Sequence, residues 1–232
     1  MKRYLNNKII VIVSIVLVIF SSTGCKHRLQ YELRQAAIEK VKELGGTVEN
    51  DKEKPEPEAM TVSLMDCNVS DSELEFLKEL DGLETLDLRW TKINGEGLIH
   101  LKDVTSLKTL RLHHCPITDA GARQIKESSN LIELDVGHSF ISDTGLAYIS
   151  EIKGLQELCL SDTEITDAGL KNLNQLQELV RLYINDTNIT DAGLEHLMAL
   201  TKLIQVDTSN TKCTGAGLSQ LEEVLARNRR NH

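Results

Sequence analysis

The side chains of this 232-residue chain with the most to offer chemically are seven histidines, five cysteines and a single tryptophan. Three of the histidines, His113, His114 and His138, fall in one stretch with Trp90, Arg89, Arg111, Asp87 and Asp135. Imidazoles there would serve metal ligation or proton transfer, whereas tryptophan and arginine are the residues that anchor protein interfaces. The spacing of His113, His114, His138 and Asp162 permits convergence on a metal but nothing in it demands one, so no metal is expected. Asp119, Asp143, Asp167 and Asp191 form a ladder that invites a cation, yet each occupies the same helix-start position in its own segment, and capping accounts for all four. There is no Gly-rich phosphate loop, no H-E-x-x-H and no G-x-S-x-G, so neither an enzyme nor a cofactor is expected.

These residues are positioned by a repeat. Aligning leading apolar residues gives Ala59, Leu83, Leu107, Leu131, Leu155, Leu179 and Leu203, seven units of 24 residues covering 59–226. The clearest copy, from Leu155, reads L-Q-E-L-C-L-S-D-T-E-I-T-D-A-G-L-K-N-L-N-Q-L. Positions 4 and 6 alternate with polar neighbours, as in a half-buried strand, and positions 16, 19 and 22 step at helical spacing after a Thr-Asp helix start. Such a unit cannot bury its own apolar edge, so stacking is obligatory. The expected fold class is α/β, a solenoid with a parallel sheet on its concave face and helices on the convex face.

The run L-x-x-L-x-L-x-x-T-x-I-T-D-A-G-L-x-x-L resembles the leucine-rich repeat family, and within it the cysteine-containing class known from F-box receptors and bacterial surface proteins. The common repeat has Asn at position 9, tying neighbouring turns together; here the occupants are Cys67, Thr91, Cys115, Ser139, Thr163, Thr187 and Thr211. The resemblance implies the solenoid and is permissive about function, because the fold hosts many partners. No F-box-like domain accompanies it.

The four cysteines after Cys25 lie in alternate units. Strands about 4.8 Å apart put thiols two units apart at roughly 10 Å, beyond disulfide reach. Cys67, Cys115 and Cys213 fall on buried template positions, and Cys159, at position 5, faces outward and is the thiol expected to react first.

Residues 1–24 read as a signal peptide: Lys2, Arg3 and Lys8, then an almost wholly apolar run from Ile9 to Phe20, then small residues before Cys25. The last part resembles the lipobox of bacterial lipoproteins, which implies lipidation of Cys25; Ser22 with Gly24 also satisfies ordinary signal-peptidase cleavage, which would leave a secreted chain. Residues 25–58 read as an amphipathic helix over His27–Leu44, a Gly45-Gly46 stop, a short strand and an acidic linker with Pro55 and Pro57. Residues 227–232 form a basic tail.

The net charge is −9, and residues 1–24 hold three cations and no acid, so the remainder carries −12. Nucleic acid, which needs a positive field, is excluded as the main partner. The expectation is a non-enzymatic, exported, lipid-anchored module that contacts the membrane through Cys25. It recognises a protein ligand through its concave sheet, at Asp87, Arg89, Trp90, Arg111, His113, His114, Asp135 and His138. An envelope scaffold without a discrete ligand is the alternative, and a metal-dependent hydrolase a remoter one.

Overall fold

The computed structural model describes residues 23–50, 59–128 and 130–231, the side chains of 23–27 and of Asn50 excepted. Residues 1–22 of the expected signal peptide and the side chain of Cys25, the expected lipid attachment point, therefore lie outside what is described. The chain divides between Ala36 and Ala37 into two compact units, and apart from the first part of helix α1 everything below concerns the second. No described helix is long and apolar enough to cross a membrane.

Helix α1 spans Thr23–Glu43, so it begins before the expected His27 and ends one residue before the expected Leu44. Gly45, at φ 89°, ends it: its N–H donates to the Lys42 carbonyl and that of Gly46 to the Val41 carbonyl. A left-handed residue of this kind satisfies the carbonyls left free at a helix end, and glycine adopts it without a Cβ penalty. Strand β1 (Thr47–Asn50) follows and pairs antiparallel with β2 (Met60–Ser63).

From β2 onward the sheet is parallel, and its eight strands lie in chain order. The rest are β3 (Leu83–Asp87), β4 (Thr109–Arg111), β5 (Glu133–Asp135), β6 (Glu157–Cys159), β7 (Arg181–Tyr183) and β8 (Gln205–Asp207). Leu86, Leu110, Leu134, Leu158, Leu182 and Val206 pair in succession, each 24 residues from the next. One α/β solenoid core results: strand leucines at positions 4 and 6, such as Leu158 and Leu160, and helix-side Leu170, Leu173 and Leu176 are all fully buried.

The return segments are less uniform than one helix per unit. Asp71–Glu79, Glu96–Asp103 and Lys171–Gln175 are 3₁₀ helix, whereas α2 (Asp119–Ile125), α3 (Asp143–Ile149), α4 (Asp167–Leu170) and α5 (Asp191–Glu195) are α-helical.

The Thr-Asp-Ala-Gly run resolves into three distinct jobs. Thr166 and Thr190 cap their helices, accepting the N–H of Ala168 and Ala192. The aspartates, expected as caps, act one unit further on. Asp143 accepts the N–H (2.8 Å) and hydroxyl (2.7 Å) of Thr166, and Asp119, Asp167 and Asp191 bind Ser142, Thr190 and Thr214 in the same way. The glycine makes the room: a Cβ on Gly145, Gly169, Gly193 or Gly217 would fall on the Oδ1 of the preceding aspartate. The aspartate ladder is thus a run of inter-unit ties, and no cation is needed to explain it.

At position 9 the hydroxyls mostly act within their own unit. Thr91, Ser139, Thr163, Thr187 and Thr211 donate to the carbonyl three residues back. Only Cys115 reaches a neighbouring turn, its Sγ lying 3.0 Å from the Leu88 carbonyl. Helix α6 (Gly215–Asn231) closes the far end with Leu221 and Leu225 buried. Residues expected as a basic tail continue this helix. The buried Asn228 amide donates to the Leu200 and Leu203 carbonyls and Arg229 to that of Ile204, satisfying the last unit's free backbone.

Candidate functional site

In each unit the chain leaves the core at position 6, passes through position 7 and turns left-handed at position 8. Asp66, Trp90, His114, His138, Asp162, Asp186 and Asn210 all have φ between 51° and 61°. The turn is held across units: Trp90, His114 and His138 donate their backbone N–H to the carbonyls of His113, Gly137 and Ser161 at 3.0, 3.0 and 2.8 Å. Asp, Asn and His tolerate this conformation better than most residues, whereas a bulky side chain there is an outlier. Trp90 is that outlier.

Because neighbouring units place these residues one strand spacing apart, their rings stack. The centroids of Trp90 and His114 are 3.6 Å apart with planes at 22°, and those of His114 and His138 are 4.0 Å apart at 18°. His113, one residue earlier on β4's strand path, stands edge-on to both imidazoles, 4.6 Å from His114 and 4.7 Å from His138. The row continues in polar form: His138 Nδ1 lies 2.6 Å from Asp162 Oδ2, and Asp186 accepts from the amides of Asn185 and Asn210. Trp90 keeps 51% of its surface exposed.

The other expected site residues divide in two groups. Asp87 is buried at 6% exposure beneath Arg89, whose guanidinium grips it at 2.7 and 2.9 Å, so Asp87 is not the contact residue the pattern suggests. It orients Arg89 instead. Arg111 is paired with Glu133 at 3.1 Å. Asp135 faces inward to the row, 3.2 Å from His113 Nδ1, and also accepts the Gly137 N–H.

Sequence reasoning passed over Gly137 and left Asp162 and Cys159 outside the site. A Cβ at Gly137 would lie 2.6 Å from His113 Nδ1 and 3.2 Å from Cys159 Sγ, so the missing side chain is the space those groups share. The signal was present: Gly137 is the one glycine at position 7, where other units carry Arg89, His113, Ser161 and Asn185.

One imidazole of the row is perturbed by its surroundings. Burial, and then the neighbouring His138 and His113, hold the His114 pKa below its ordinary value, because a cation there would be partly desolvated and repelled.

All four described cysteines are free. Cys115 is buried, but Cys67 and Cys213 are half-buried, because the end units lack a neighbour on one side. Cys159 is also half-buried, and burial followed by the Asp135 charge pushes its thiol up to about 11. A raised pKa lowers the fraction of thiolate, the attacking form, and so argues against Cys159 as the first thiol to react. Burial raises the other three thiols as well.

With this geometry in view, the chain was compared with known proteins. Residues 83–102, 105–125 and 155–173 match the family model described as Leucine Rich repeat. No curated protein matches. The crystal structure of internalin C2 from Listeria monocytogenes str. 4b F2365 aligns with a TM-score of 0.51 at 22% identity, covering 69% of this chain and 76% of that one. That of an internalin (inlF) from the same strain aligns at 0.42 and 19% identity, over 67% of this chain and 56% of the other. At 22% identity the first likeness is one of fold. Within this α/β solenoid, the three matched segments carry the leucine-rich repeat pattern.

Proposed function

We propose that the chain is a non-enzymatic, exported and lipid-anchored recognition module that binds another protein through the sheet face formed by positions 5, 7 and 8. The observation that carries this reading is Trp90. A half-exposed indole in a backbone conformation that bulky residues avoid is costly to keep, and its cost is answered by a partner that covers it. Arg89 and Arg111, each pre-oriented by a carboxylate, flank it as further anchors. Rigid stacked rings lose little entropy on binding. The N-terminal cationic and apolar run with Cys25 supports export and anchoring, and the acidic charge of the remainder argues against adhesion to anionic lipid or nucleic acid.

The test starts with crosslinkers placed beside Trp90 in intact cells, followed by affinity measurements on whatever protein is caught. Trp90→Ala weakens that complex by about 2 kcal/mol, as expected of a hot spot. Lys171→Ala, on the helix side, leaves it unchanged. Equal affinities for the two variants would move the interface elsewhere, and an absence of any captured protein would favour a scaffold. Cys25→Ser shifts the chain out of the membrane fraction and abolishes fatty-acid labelling; persistent labelling contradicts the anchor.

A further inference from the structure

Histidine spacing along the chain carries no metal signature, but the fold brings together what the spacing leaves apart. One ligand atom each from His113, His114 and His138 lie within 4.8 Å of one another. So do those of a second trio, His113, Asp135 and Cys159, which shares the first imidazole. The space beside His113 and Cys159 exists because position 7 of the fourth unit is Gly137; a methyl group there would press on His113 Nδ1 at 2.6 Å and Cε1 at 2.9 Å. The space is specific to this place on the sheet.

Two of the three imidazoles are already oriented for ligation. His138 Nδ1 faces the Asp162 carboxylate at 2.6 Å and His113 Nδ1 faces that of Asp135 at 3.2 Å. A carboxylate on Nδ1 fixes the proton there and leaves Nε2 with its lone pair, the outer-shell arrangement that metal-binding histidines use. Cationic competition is low, because Arg89 is engaged by Asp87 and Arg111 by Glu133. The geometry points to a site for one divalent first-row transition-metal ion of zinc's class, ligated by His113, His114 and His138, with Asp135 and Asp162 as orienting carboxylates and a fourth position open on the sheet face. Three neutral imidazoles with one open position suit zinc, while hard calcium or magnesium would need oxygen ligands.

Closing the site requires one ring to move. The His114 and His138 planes are nearly parallel, so their in-plane lone pairs run alongside each other. Tetrahedral coordination at a Zn–N distance of about 2.0–2.1 Å brings donor nitrogens to roughly 3.3 Å apart. His114 is the ring without a carboxylate partner among the described residues, so it is the one that turns, and in turning it leaves the face of Trp90. The chain's one tryptophan therefore reports on its own neighbour.

The experiment is a titration of the purified, untagged full-length protein with Zn²⁺ in metal-free buffer, read by calorimetry and by Trp90 fluorescence. One equivalent binds, and the fluorescence changes with the same midpoint. His113→Ala and His138→Ala each weaken binding by about a hundredfold, Asp162→Asn by about tenfold, and the exposed His196→Ala does not alter it. Gly137→Ala, which fills that space, weakens it without removing a ligand. No saturable binding, equal binding by His113→Ala and wild type, or saturation with unchanged Trp90 fluorescence would each overturn the three-histidine set. A Co²⁺ complex with a thiolate charge-transfer band that Cys159→Ser removes would overturn it in favour of the second trio. Every readout uses the isolated protein, and capture of a partner is tested with chelator present, so failure of either reading is distinguishable from failure of the other.

Discussion

The row of left-handed residues has two halves built on one backbone. From Trp90 to His138 it is an aromatic stack, and from Asp162 to Asn210 it is a run of carboxylates and amides, yet φ differs by no more than 10° between any two of its members. The polar half shows what the scaffold itself asks for, short side chains that accept a left-handed backbone at little cost. The first half departs from that requirement, which separates what the fold needs from what is added to it. Both halves rest on the same buried leucines, and from Asp119 onward on the same inter-unit ties from aspartate to serine or threonine.

Breaking what the halves share has the largest effect. Deleting Leu155–Glu178 joins equivalent positions and leaves a shorter solenoid that still melts cooperatively, whereas deleting twelve residues from Leu155 abolishes the cooperative transition in thermal melts. Similar melts for both deletions would deny that the units are interchangeable. Gly169→Val drives a side chain into the Asp143 carboxylate and destabilises the chain by about 3 kcal/mol in denaturant unfolding, because the tie and the packing are lost together. A cost below about 0.5 kcal/mol would show the ladder to be incidental.

Converting the first half into the second has a smaller effect on stability. Trp90→Asn loses the stack, worth about 1 kcal/mol, and relieves a left-handed strain of about the same size. Its stability should stay within about 1 kcal/mol of the parent in chemical denaturation. A larger loss would give Trp90 a folding duty that the comparison denies it.

The smallest effect distinguishes the halves by pH. The lowered His114 pKa means that the unfolded chain takes up this proton first as pH falls below the ordinary value of 6.5. The folded state keeps its full advantage above 6.5 and loses it as pH falls through the depressed folded value. Melting temperatures measured from pH 7.5 down to 5 should decline more for the parent than for His114→Asn. Parallel declines would remove His114 as the cause.

The candidate site was legible in part. The periodicity placed Trp90, His114 and His138 on equivalent positions of adjacent units, and stacking follows from that placement. Asp87 was misread because alternation says which face a residue occupies and not whether an arginine two residues on will cover it. Gly137 and Cys159 went unused because their importance lies in a shared space, which exists only once β5 and β6 stand beside β4.

The sequence by itself determined the α/β solenoid, its apolar core positions, the end of α1 and the starts of the return helices, since each follows from side-chain type at short range. Tertiary structure decided the rest. Whether the Thr-Asp pair caps its own helix or ties the next unit, and how far a thiol is raised, depend on neighbours in adjacent units held at a fixed strand spacing. The left-handed turn at position 8 belongs to the same class, because its N–H finds a partner only in the following unit. Local pattern encodes what each unit buries, and stacking encodes what its surface residues meet.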